Sequence, residues 1–226
     1  MNRTLKSNSI TAIYFGFATL LVLAEYFKLC NVLIFFKPLL IPTLLVLYLF
    51  TAQKKSYWYI ISLVFACGSN IFLLFPGQQF VFFGVMAFLF YRIFSIITIV
   101  KISEEIILLP LILATIPFLF VFSYLIYIMI SPDNPNFYPT VINDLIISIF
   151  SGMGLSNYVM NDNKPNSWLI ISTLLFAFLV ILFMVENFYL PNSVFKPLSA
   201  MIFAMAHYAF YKFMYESENQ TTIDFP

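Results

Sequence analysis

Apolar residues in this chain run in long unbroken stretches, and short polar knots such as "TAQKKS", "FPGQQ", "SPDNPN" and "NDNKPN" separate them. A stretch of about 20 residues that is apolar on every side is the signature of a helix crossing a bilayer. Breaks at charged and Pro/Asn-rich positions predict eight such spans: 9–29, 33–52, 57–75, 79–100, 105–130, 138–160, 167–189 and 194–215. The segment 138–160 departs most from the pattern, since it carries Asn143, Asp144 and two glycines. The knots are turn chemistry and too short for a separate domain. The expected architecture is therefore all-α: a single polytopic membrane helix bundle of about eight transmembrane helices over residues 1–226.

Composition strengthens this reading. The chain is 62% hydrophobic and 20% aromatic, with only 9% charged residues and a mean hydropathy of +0.95. A soluble domain is roughly half apolar and a quarter charged, so this chain has too little polar surface to face water. A net charge of +1 supplies no basic field for nucleic acid. Cys30 and Cys67 lie at or within apolar segments and read as small buried hydrophobes rather than a disulfide. The basic start "MNRTLKSNSI" precedes an apolar run with no small-x-small cleavage pattern and reads as an uncleaved first span.

Orientation follows from the loop cations. Arg3, Lys6, Lys54, Lys55, Lys101, Lys164 and Lys212 fall on the N-terminal side, against Lys28, Lys37 and Lys196 on the other. An even number of spans returns the tail "ESENQTTIDF" to the first side, so both termini are expected in the cytoplasm. One short repeat, "FKPLL" at Phe36–Leu40 and "FKPLS" at Phe195–Ser199, would open two spans running inward. Proline is tolerated at a helix start and the neighbouring lysine can snorkel. Five residues are too few to establish a duplicated fold, and shared span-start chemistry accounts for them.

Ionisable groups within spans mark sites or pair with one another. Here they are Glu25, Arg92, Asp144, Glu186, His207 and Lys212. Glu25, Glu186 and Lys212 lie within a turn or two of a predicted end, where snorkelling explains them. Asn70, Asp144 and His207 fall at similar depth in the outer half, with Ser69, Tyr208 and Tyr211 as nearby donors. Two readings stand. One is a polar pocket in which Asp144 or His207 handles a proton; the other is a hydrogen-bonded packing network. A single histidine with scattered carboxylates makes no metal ligand set, and neither GxSxG nor a P-loop occurs. The G-x-G of "SGMGLSNY" reads as close helix contact, and no cofactor is implied.

The order of these features resembles the YhhN-type membrane proteins, which include the lysoplasmalogenases. "FKPLLIPTLLVLYL" is similar to the family's Lys-Pro opening of span two, and "GSNIFLLF" to its Gly-Asp-x-x-Leu-Leu step. "FFGVMAFLFYRIFSI" resembles a span that usually carries histidine. "STLLFAFLVILFMVENF" is similar to a span with a Ser-Asp pair, and "AMAHYAFYKFM" to the closing Thr-Tyr-x-x-Ala-Gln span. The resemblance implies eight spans and hydrolysis of the vinyl ether bond of a lysolipid. It also implies departures: Asn70 in place of a carboxylate, Arg92 of the histidine, Leu179 and Val180 of Ser-Asp, and Lys212 of the glutamine. Tyr208 matches directly. Asparagine fills an aspartate's space but cannot act as a proton-transfer base.

Three functions follow as expectations. One is a lysoplasmalogenase-like ether hydrolase with Asp144 and His207 as catalytic candidates and Ser69, Asn70, Arg92 and Tyr208 as substrate-binding ones. Another is a non-catalytic relative that binds a lipid or a protein. The third is a small-solute transporter built on an Arg92–Asp144 charge pair. The expected partners are membrane lipids, with a lysolipid as substrate or ligand, in a bacterial inner membrane.

Overall fold

The computed structural model describes residues 3–103, 106–134, 137–190 and 194–220, with the side chains of residues 3–6 and 220 outside that description. Arg3 and Lys6 of the charge count, residue 105 of the fifth predicted span and the tail from 221 onward therefore lie outside the described residues or side chains. Eight α-helices are present among the described residues: α1 (Arg3–Tyr26), α2 (Cys30–Thr51), α3 (Tyr57–Phe72), α4 (Gln78–Ile102), α5 (Leu108–Met129), α6 (Phe137–Met160), α7 (Lys164–Met184) and α8 (Phe195–Gln220). Each predicted span has its helix. α7 continues into a π turn, Val185–Tyr189.

The boundaries differ from expectation where hydropathy stops being informative. α1 begins at Arg3, because a helix continues through polar residues once it leaves hydrocarbon. α2 begins at Cys30 behind Lys28, which holds a positive φ of 56°. Pro38 is therefore inside α2 and does not open it, since "CNVLIFF" contains no breaker. Pro42 has no N–H to donate to the Pro38 carbonyl, and that freed oxygen faces Cys67 Sγ at 3.8 Å.

Six of the helices are long and apolar enough to cross a membrane. α3, with 16 residues, is a shorter apolar helix, and the last turns of α8 carry Lys212, Glu216 and Glu218. The outer surface is apolar: Phe35, Phe120, Tyr127 and Tyr138 are each more than 70% exposed. The interior instead holds serine, threonine, Asn70, Arg92, Asn143, Asp144 and His207. Large exposed apolar area around polar-containing packing is what lipid as solvent demands. This is an integral membrane protein.

The helices form a ring: α1 packs on α2, α2 on α3, α3 on α4, α4 on α6, α6 on α7, α7 on α8 and α8 back on α1, with α5 outside against α6. The seam of α6 depends on small residues. A Cβ on Gly152 would collide with Thr115 Oγ1 of α5, and one on Gly154 with Thr173 Oγ1 of α7. The "SGMG" step is thus close helix contact, as the sequence suggests. At the end where α1 begins and α8 finishes, Tyr48 donates to Glu218 Oε1 at 2.8 Å and accepts from the Ser56 amide at 2.8 Å. This clamps the α2–α3 turn onto α8.

Candidate functional site

A cavity of about 510 Å³ fills the ring at the opposite end. Every helix except α5 contributes to its wall. Pro38 and Pro42 lie inside α2, and next to Pro38 the Lys37 carbonyl accepts from the Asn70 side-chain amide of α3 at 3.4 Å. Ser69 donates to the Gly84 carbonyl at 2.9 Å, and a Cβ on Gly84 would meet Leu73 at 2.7 Å. The "GSN" step therefore joins α2, α3 and α4 side by side and leaves Ser69 and Asn70 on the cavity wall.

Charge is arranged in two levels. Glu25, Lys37, Glu186 and Lys196 lie toward the ends of α1, α2, the π turn and α8 that surround the cavity, all on the lining. Lys37 Nζ is 3.4 Å from Glu25 Oε1. Deeper, Arg92 and Asn143 line the wall; the guanidinium Nη1 donates to Asn143 Oδ1, and its Cζ lies 4.5 Å from the Phe88 ring centroid. Between the levels the walls are apolar, with Leu33, Leu74, Val85, Leu179, Val180, Phe183 and Phe203. The π turn places Glu186 and Asn187 at the rim; single π turns of this kind often occur at functional positions.

The sequence candidates divide. Ser69, Asn70 and Arg92 line the cavity; Asp144, His207 and Tyr208 are not among its lining residues. Asp144 is 2% exposed, one residue beyond Asn143. Its two carboxylate oxygens have no hydrogen-bond partner of good geometry among the described residues, although the Arg92 charge and the Asn143 amide are near enough to act on it. No Arg92–Asp144 approach within 4.0 Å occurs among the described ion pairs. The expected charge pair does not close, because Arg92 bonds Asn143 and stacks on Phe88 instead. His207 is enclosed by rings, with Phe203, Tyr91 and Phe176 centroids at 4.2, 4.9 and 4.9 Å. Phe88 lies parallel to it at 6.3 Å, and Phe88 and Phe203 line the cavity where His207 does not. Neither ring nitrogen has a partner. Tyr208 packs against Tyr14 and Phe15 of α1, and Tyr211 bonds Thr51 at 3.0 Å near the terminal end.

Sequence reasoning missed Glu25, Glu186, Asn143 and Asn187 as wall residues. Glu25 and Glu186 are not lone snorkelling groups, because they share a cavity with two lysines. The overlooked signal was the "FKPL" repeat: its two lysines, Lys37 and Lys196, both line the cavity. Among the described residues no cluster of His, Cys, Asp and Glu could hold a metal.

A ring of membrane helices around a charged-rim, apolar-walled chamber defines an integral membrane protein with an internal amphipathic site. The YhhN family model matches residues 32–214, most of the chain, and the protein belongs to the YhhN family. No curated protein matches it, and no solved structure does either. The positions that the sequence resemblance picked out in α3, α4 and α7 (Asn70, Arg92, Leu179 and Val180) all lie on the cavity wall.

Proposed function

We propose that this YhhN protein handles lysolipids, its cavity taking one single-chain phospholipid of the lysoplasmalogen type. The observation that carries the reading is the shared wall of Asn70 and Val180, two residues from separate helices at the positions where the resemblance places carboxylates. The lining suits such a ligand. Apolar side chains flank an alkyl chain, and charges of both signs at the rim and floor suit a zwitterionic head. Ligand pockets of several hundred Å³ with a few convergent polar groups are common for small amphiphiles. On the orientation given by the Lys/Arg bias, both termini are cytoplasmic and the cavity opens on the outer side of a bacterial inner membrane.

Binding and hydrolysis are separate claims. Breaking the vinyl ether requires a proton on the enol-ether carbon and water on the cation that forms, and positioned acid–base groups are worth about 100- to 10,000-fold for such a step. Neither Asn70 nor Val180 can supply that proton. One observation favours hydrolysis as a second reading: the buried Asp144 carboxyl, next in sequence to the wall residue Asn143, makes no hydrogen bond of good geometry among the described residues. The test uses purified protein and labelled lysoplasmalogen, with bound lipid and released aldehyde measured together. Saturable binding supports the first reading. Aldehyde release that disappears in Asp144→Asn supports the second. The absence of binding overturns both.

A further inference from the structure

Among the described residues, the charged side chains on the cavity wall fall into a rim group and Arg92. Arg92 is 14 residues into α4, which begins at Gln78, about 21 Å along the axis at 1.5 Å per residue. A helical side chain leans back toward the helix start, here toward the rim. It is 1% exposed. A guanidinium carries five N–H donors. Asn143 takes one of them, Phe88 covers a face of the group, and Nε has no partner. No carboxylate closes to ion-pair distance of Arg92 among the described residues. Asp144 acts on the guanidinium only from beyond that distance and leaves Nε unmet, and the planar fork matches the oxygens of a phosphate two at a time. Screening is weak at such depth, so an anion arriving there is held more strongly than at the rim.

We propose that Arg92 is the phosphate anchor of the cavity: the ligand enters head-first, its phosphate meets the Arg92 guanidinium beside Asn143, and its chain runs back along the apolar walls. This rests on the lysolipid reading above. The shared chemistry is a phosphate group, whether carried by a lipid or free.

Displacement of a fluorescent lysolipid from the full-length protein in dodecyl maltoside micelles tests this with three probes: lysophosphatidylcholine, the monoacylglycerol of the same chain length, and inorganic phosphate. A hydrogen-bonded ionic contact predicts that wild type prefers lysophosphatidylcholine over monoacylglycerol by about tenfold or more. Arg92→Gln erases that preference and leaves monoacylglycerol affinity unchanged. Asn143→Asp, which pairs the guanidinium internally and keeps the volume, erases it too and serves if Arg92→Gln does not fold. Asp144→Asn, which removes a nearby negative charge, tightens lysophosphatidylcholine several-fold, an effect a purely packing role for Arg92 would not produce. Displacement by inorganic phosphate at similar concentration assigns the anchor to the free ion; its failure to displace assigns it to the lipid. Equal wild-type affinity for the two lipids, or equal loss of both in the variants, overturns the Arg92 assignment and leaves the lysolipid reading standing. If neither lipid displaces the label, both fall.

Discussion

Asn70 of α3 and Val180 of α7 line the same cavity, although 110 positions separate them in the chain. Neither an amide nor an isopropyl group can act as a proton-transfer acid or base. Restoring acids there is the sharpest test of what the cavity was shaped for. Asn70→Asp combined with Val180→Asp is expected to raise aldehyde release from lysoplasmalogen about 100-fold or more over wild type. An unchanged rate in a folded double variant would count against a lysoplasmalogenase-type site.

The α6 seam makes a stability prediction. A methyl group on Gly152 meets the Thr115 Cα at 2.9 Å, a backbone atom that cannot rotate away, so Gly152→Ala must part α5 from α6. The expected loss is about 1–3 kcal/mol, read as a lower melting temperature in detergent. Gly68→Ala is the control, because its Cβ meets nothing within 4 Å, and it should be near neutral.

His207 should prove dispensable to the lipid. It is buried among four aromatic rings with both nitrogens unpartnered. An unsatisfied buried polar group costs about 1–3 kcal/mol, so His207→Leu is expected to be neutral or stabilising and to leave lysolipid affinity unaltered. A loss of binding in a protein of unchanged melting temperature would return His207 to the site.

At the terminal end, burial pushes the Glu218 carboxyl above the ordinary glutamate value of 4.5, and hydrogen bonds from Tyr48 and the Gln53 and Lys54 amides offset this only in part. The folded state then holds the proton more tightly than the unfolded one. The stability contributed is complete below 4.5 and is lost as pH rises through the raised folded value. The melting temperature should therefore fall as pH rises above 4.5, and Glu218→Gln, which still accepts from Tyr48, should flatten that slope. An identical slope in the variant would refute the assignment.

The helices were legible because each is a continuous apolar run closed by turn residues, and lipid leaves the backbone few alternatives. The wall of the site was legible only in part. Asn70 and Arg92 stood out because a polar group in oil needs a reason. Glu25 and Glu186 did not, because a charge near a span end reads the same whether it faces headgroups or a chamber. That choice depends on which helices close the ring, and α8 returning to α1 is a long-range contact with no local signature. Asp144 and His207 were singled out by residue type, and packing left both off the cavity lining that Asn143 and Phe88 share.

The central claim, one single-chain phospholipid within the ring, is tested most directly by native mass spectrometry of protein incubated with lysophospholipid. Val180→Trp, which fills the wall with an indole, is the comparison. The account predicts one retained lysolipid per wild-type chain and none on the folded variant. A wild-type chain that emerges bare, or a Val180→Trp chain that keeps its lipid, would contradict it.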